Sequence, residues 1–263
     1  MKNIKIIVAA HKKYQMPEDK IYVPMQVGAE GKERIEEYIQ DNTGNNISSK
    51  NPNFCELTGL YWAWKNLEAD YIGLVHYRRY FTIQNKIPKT EQEKFKIVLN
   101  QKETEEKLKH IDVLLPKKRK YYIENLYSHY AHTMYVEPLD ETRKIIEEKY
   151  PEYLEEFNKL HKRTSAHMFN MFIMKKEILD EYCNWLFDIL FELERRTDTS
   201  KYDNFHARFY GRISELLLDV WINRNQIKYE EVKVMDMQKI NWLKKGTSFL
   251  TAKFTGRKYG KSF

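Results

Sequence analysis

Cysteine, glycine and proline are all scarce: two, nine and seven in 263 residues. Cys55 and Cys183 stand far apart, each inside an apolar helical pattern. No disulfide framework is encoded, and two buried, reduced thiols fit a cytosolic compartment. Long hydrophobic runs are missing as well. Nothing approaches the roughly 18 consecutive apolar residues of a spanning helix. Met1 leads into the strand-like IKIIVAA without an apolar segment of signal-peptide length. The expected location is the cytoplasm, including the inner face of the cell membrane for a peripheral protein. The few glycines form neither G-x-G-x-x-G nor G-x-x-x-x-G-K-S/T, which counts against a dinucleotide enzyme and a P-loop kinase. A G-x-S-x-G elbow is absent too, so a serine hydrolase has no support.

Acids are missing from one region. Residues 239–263 hold seven bases (Lys239, Lys244, Lys245, Lys253, Arg257, Lys258 and Lys261) and no acid. Taking those seven from the 45 bases of the chain leaves 38 against 38 acids, so residues 1–238 are neutral. Basicity confined to a tail argues against a nucleic-acid partner, which calls for a basic face on the folded body. The tail bases interleave with Trp242, Phe249, Phe254, Tyr259 and Phe263. That composition suits contact with an anionic membrane surface, and equally an ordinary solubilising terminus.

Hydrophobic residues make up 42% of the chain and aromatics 14%, which argues for a folded globule with one large core. With no repeat and no Pro/Gly-rich boundary, one domain over 1–238 is expected, followed by the 239–263 tail. Apolar runs at residues 4–10, 21–27, 71–75, 111–115, 166–175 and 229–234 predict strands. Helical periodicity marks residues 51–67, 90–110, 127–134, 139–150, 177–196 and 211–223. This alternation predicts an α/β sandwich with a mainly parallel central sheet flanked by helices.

The organising stretch is residues 69–81, ADYIGLVHYRRYF. A buried strand there delivers His76, Tyr77, Arg78 and Arg79 at its carboxyl end. Ligands of open α/β sheets bind outside those ends. Buried cations need anionic partners, which are either carboxylates of the same protein or a bound phosphate or diphosphate. The first strand ends similarly in His11, Lys12 and Lys13, so two basic strand ends point to one shared anion site. The run Lys117, Lys118, Arg119 and Lys120 is a third, or a solvated face. His129 and His132 share a helix face, without a partner in sequence that would argue for a metal; one of them is a candidate for an acceptor or phosphate oxygen. Glu56 and Glu215 are acids among apolar neighbours, a setting that raises a carboxyl pKa toward the general-base range. Each is equally a partner for Arg78, Arg79, Arg208 or Arg212. Asn170 interrupts an apolar strand and needs hydrogen-bond partners, whether buried backbone or a sugar hydroxyl.

Four ordered motifs, NISSKNPNFCELTGLYWAWKNL, DYIGLVHYRRYF, NMFIMKKEILDEYCNWLFDIL and RFYGRISELLLDVW, resemble a domain-of-unknown-function family of capsule, exopolysaccharide and O-antigen clusters. The resemblance extends to about Met237 and includes a galactofuranosyltransferase module of a bifunctional O-antigen polymerase. It implies a variant of the GT-A nucleotide-sugar fold and transfer of a sugar from a UDP-sugar to a glycan or polyprenyl-diphosphate-linked glycan acceptor. Where ordinary GT-A enzymes carry a metal-binding Asp-x-Asp, this sequence has His76-Tyr77-Arg78, so the resemblance implies a diphosphate held by His76, Arg78, Arg79, His11 and Lys12 without a metal cofactor. By order along the chain, Glu215 is the expected base, with Asp203 behind it. Asn170, Glu56, His129 and His132 are expected at the sugar and acceptor, and Asp41 and Asn46 at the nucleoside. The competing expectation is a non-catalytic carbohydrate- or nucleotide-binding subunit.

Overall fold

The computed structural model describes residues 1–238; the tail, with every expectation attached to it, lies outside the described residues. The strands among the described residues are β1 (Ile4–Ala10), β2 (Tyr22–Gln26), β3 (Ile39–Gln40), β4 (Tyr71–His76), β5 (Arg79–Thr82), β6 (Val113–Pro116), β7 (Arg119–Lys120), β8 (Ser165–Ala166), β9 (Phe172–Lys175) and β10 (Glu230–Asp236). The helices are α1 (Asn51–Phe54), α2 (Leu57–Asn66), α3 (Glu91–Phe95), α4 (Gln101–Lys107), α5 (Leu126–Thr133), α6 (Glu137–Lys149), α7 (Leu154–Asn158), α8 (Lys176–Arg196) and α9 (Phe209–Arg224).

β1 and β4 are continuous apolar runs because both faces of the sheet are covered. Ile7 and Ala9 of β1 join Ile72 and Leu74 of β4 in one core with α2, α8 and α9. Ile4, Ile6 and Val8 join Tyr71 and Val75 in a second core, closed by Val98, Leu99 and Leu108 from the α3–α4 region. Gly73 is required where β9 crosses: a Cβ there would lie 2.9 Å from the Phe172 carbonyl oxygen.

The sheet is mixed, not mainly parallel. β3, β2, β1 and β4 run parallel in that order, and β10 runs parallel to β6. β9 lies antiparallel between β4 and β6, and β5 antiparallel between β4 and β10. The pairings β4–β9–β6–β10–β5–β4 therefore close on themselves. Sequence alternation missed this because β4 turns straight into β5 through Tyr77 and Arg78. An antiparallel partner reached by a two-residue turn needs no crossover helix.

Three boundaries also differ. The expected helix 51–67 breaks at Cys55, whose φ of 54° and ψ of −131° end α1. The expected helix 90–110 is two short helices, α3 and α4, separately capped by Thr90 and Asn100. The expected strand 166–175 turns at Phe169 and Asn170, with φ of 82° and 51°. Among the described residues no helix is long and apolar enough to cross a membrane.

Candidate functional site

A cleft of about 1150 Å³ opens outside the carboxyl ends of β1 and β4. It gathers His11 after β1, Tyr77 and Arg78 from the β4–β5 turn, Glu56 from the break before α2, and Arg119 and Lys120 from β7. Its far wall is the start of α9 with Arg208, Arg212 and Glu215.

Glu215 is 5% exposed, and its Oε2 has no hydrogen-bond partner. The nearest cation is Arg212, with Nη1 3.6 Å from Oε1. Burial raises the Glu215 pKa above the ordinary carboxylate value, and the Glu56 charge adds to this; Arg212 opposes it, with weaker help from Arg79 and Arg119. Glu56 sits at the start of α2, where its Oε1 accepts a 2.7 Å hydrogen bond from Asn170 Nδ2 and stands 4.0 Å from His76 Nε2.

The two neighbouring arginines of the basic strand end are placed differently. Arg79 enters β5 and turns inward. Its Nε lies 3.0 Å from Asp236 Oδ1 and its guanidinium 4.3 Å from the centre of the Phe169 ring. Arg78, at the turn, has neither ion pair nor side-chain hydrogen bond among the described residues. Arg119 and Arg208 also lack carboxylate partners there, although Arg208 Nε donates to Cys55 Sγ at 2.9 Å. Burial pushes the Cys55 thiol up to about 11, so it meets Arg208 as a neutral thiol.

The histidines are not the cations expected. His76 Nε2 donates to the Phe169 carbonyl oxygen at 2.6 Å. Burial lowers its pKa against the opposing pull of Glu56, so the ring stays neutral. His11 is lowered first by burial, then by Lys12, Lys32, Arg78 and Arg208. Lys12 does not line the cleft and lies 5.3 Å from the Tyr14 ring centre.

Several expected ligand residues serve the fold instead. Asp41 is fully buried: its carboxylate accepts from Gly28 N (2.8 Å), Ala29 N (2.9 Å), Thr58 Oγ1 (2.6 Å) and Ser48 Oγ. It staples the β2–β3 connection to α2 and does not line the cleft. Asp41→Ala is expected to destabilise the protein by about 3–5 kcal/mol, because four buried donors lose one acceptor group; urea unfolding measures this. Asn46 Oδ1 accepts from Ser48 N and its amide donates to the Gly44 carbonyl, a local loop away from the cleft. Asn170 also lies off the cleft surface. Besides Glu56, its amide reaches the Gly211 carbonyl at 3.0 Å, so it ties the α2 and α9 walls together.

Asp203 is corrected too. Its carboxylate is 61% exposed, outside the cleft lining, and accepts from Phe205 N, His206 N and His206 Nδ1. The hydrogen bond from the His206 side chain is the main reason its pKa falls, the reverse of what a base requires. Asp203→Ala is expected to cost about 1 kcal/mol of stability, as a lost cap does, measured by urea unfolding.

His129 and His132 do converge on one carboxylate. Glu124 Oε1 lies 2.6 Å from His129 Nδ1, and Oε2 lies 2.7 Å from His132 Nδ1. Glu124 and His129 line the cleft; His132 does not. Among the described residues no set of three His, Cys, Asp or Glu side chains could hold a metal ion. Sequence reading passed over Arg208, Arg212 and Arg119 as cleft residues. The signal available was their place beside Glu215 and at the third basic strand end.

Comparison with known proteins agrees with this architecture. No curated protein matches. A solved apo structure described as the WbbM bifunctional glycosyltransferase superposes with a TM-score of 0.82 at 32% identity, over 90% of this chain. This chain spans 46% of that one, about half its length. The mixed α/β fold is thus similar to that of a glycosyltransferase. Residues 5–226 match the family described as a domain of unknown function, DUF4422. The chain belongs to the DUF4422 family.

Proposed function

We propose that this protein is a glycosyltransferase that moves a hexose, with galactofuranose the first to test, from a UDP-sugar to a glycan acceptor in bacterial surface-polysaccharide synthesis. The observation that carries the reading is a buried carboxyl with an unpartnered oxygen in a cleft rimmed by arginines that have no carboxylate partner. The acceptor hydroxyl oxygen attacks the anomeric carbon and its proton passes to Glu215 Oε2. The bond from that carbon to the donor phosphate breaks, and the electron pair leaves with the diphosphate. Direct displacement inverts the anomeric centre.

Charge builds on the departing diphosphate, so fixed cations there lower the barrier. Arg78 and Arg208 take this role, because a planar guanidinium matches phosphate oxygens two at a time. Neutral His11 contributes a hydrogen bond in place of charge, His76 gives its one proton to the Phe169 carbonyl and holds the cleft wall, and arginines take the place of a divalent metal. Glu56, oriented by Asn170, receives a sugar hydroxyl.

The test is a panel of nucleotide sugars scored by thermal shift and donor hydrolysis, in EDTA and with manganese. Stabilisation and turnover with a UDP-sugar in EDTA support the reading. Activity restored only by manganese refutes the arginine-for-metal replacement. No response to any nucleotide refutes the donor site and favours a binding subunit.

A further inference from the structure

A second surface borders the cleft. β6 ends in Pro116, and the chain continues as Lys117, Lys118, Arg119, Lys120, Tyr121, Tyr122 and Ile123. From Val113 to Ile123 there is no acid. Because residues 1–238 are neutral as a whole, four consecutive bases are a local excess and not a share of a general charge. None of the four forms an ion pair among the described residues: Lys118 lies 5.8 Å from the Tyr229 ring centre and Arg119 5.2 Å from that of Tyr121. Three acids of the neighbouring segments have other partners. Glu124 holds His129 and His132, Glu230 holds Lys107, and Glu231 lies 3.3 Å from His167 Nε2.

The tip of the same segment is apolar and outward. Tyr122 is 89% exposed and Ile123 is 56% exposed. Both stand at the mouth of the cleft. Cations next to an exposed tyrosine and an aliphatic side chain match a bilayer interface, where aromatics sit at headgroup level and bases meet anionic lipid.

We propose that residues 117–123 form a membrane-contact ridge that seats the cleft mouth on an anionic lipid surface. Lys117 and Lys118 lie over the headgroups, Arg119 and Lys120 continue the ridge onto the cleft wall, and Tyr122 and Ile123 enter the interface. The ridge is a different segment of the sequence from residues 239–263, and it stands whether or not the cleft transfers a sugar.

The test is co-sedimentation of the full chain with vesicles of equal parts phosphatidylglycerol and phosphatidylcholine, against phosphatidylcholine alone. The wild type is expected to bind the anionic vesicles only. Lys117→Gln with Lys118→Gln should lower partitioning about 25-fold, roughly fivefold per base, and flatten its salt dependence. Neither residue lines the cleft, so the thermal shift on adding a nucleotide sugar should be unchanged and reports correct folding. Lys117→Arg with Lys118→Arg should retain binding. Tyr122→Ser should lower partitioning without altering the salt dependence. Unchanged partitioning in the glutamine variant assigns the contact to residues 239–263 and overturns the ridge. Binding to heparin but not to vesicles overturns it as well.

Discussion

Replacing Glu215 with Gln is expected to lower kcat for sugar transfer by a factor of about 10²–10⁴, the usual contribution of a positioned general base. Gln keeps the shape and the burial but cannot accept the acceptor's proton. Donor affinity, read by thermal shift, should stay within a few-fold, since the diphosphate meets Arg78 and Arg208. A fall in donor affinity as large as the fall in kcat would make Glu215 a structural residue. The pH–rate profile of the wild type should rise through a pKa above the ordinary carboxylate range, because burial holds the proton on Glu215. In Glu215→Gln that acid limb should vanish.

The same substitution has a stability consequence of opposite sign. A carboxyl whose folded pKa is raised binds its proton more tightly folded than unfolded. Its favourable contribution is complete below the unfolded carboxylate pKa and is lost as pH rises through the raised folded value. At neutral pH wild-type Glu215 therefore opposes folding, and Glu215→Gln should melt higher, by roughly 2–4 °C for each 1 kcal/mol of relief. A variant that is more stable and inactive is the signature of a site kept under electrostatic stress. Equal melting at acid and neutral pH would show that the carboxyl is not stressed.

Arg78→Ala is expected to lower kcat/KM by about 10²–10³, the effect of removing one preorganised donor from a developing anion. Its guanidinium has no partner among the described residues, so removal breaks no contact of the fold and the melting temperature should barely move. Arg79→Ala provides the contrast. Loss of the Asp236 and Phe169 contacts should destabilise the protein, because Arg79 is buried and a half-buried Asp236 is left without its partner. Arg78→Lys should recover only part of the rate, since an ammonium cannot make the paired contacts of a guanidinium. The opposite pattern, a stability loss at Arg78 with activity retained, would remove the diphosphate clamp from the mechanism.

The site was partly legible in the sequence. The residues 69–81 stretch announced a buried strand that carries cations to its carboxyl end, and the cleft opens there. It could not announce which arginine faced outward. That follows from the two-residue turn, which leaves Arg78 at the tip and returns Arg79 to the sheet. Glu215 and Asp203 looked alike by order along the chain, yet one is buried on α9 and the other caps a surface turn. Asp41 sat in a segment with the composition of an exposed loop, and only its meeting with Gly28, Ala29 and Thr58 made it a buried staple. The partner of His129 and His132 escaped notice because Glu124 precedes the Asn125 cap of α5 and so lies outside the helical spacing.

By itself the sequence determined strands β1, β2, β4, β6, β9 and β10 and the long helices, the neutrality of residues 1–238 and the family, because apolar periodicity, charge counts and ordered motifs are local properties of the chain. The tertiary structure alone decided the mixed sheet, the neutral histidines and the membership of the cleft. Those depend on contacts such as Asn170 with Glu56, 114 positions apart. Burial and hydrogen-bond geometry at such meetings, and not residue type, set whether a side chain is staple, cation or base.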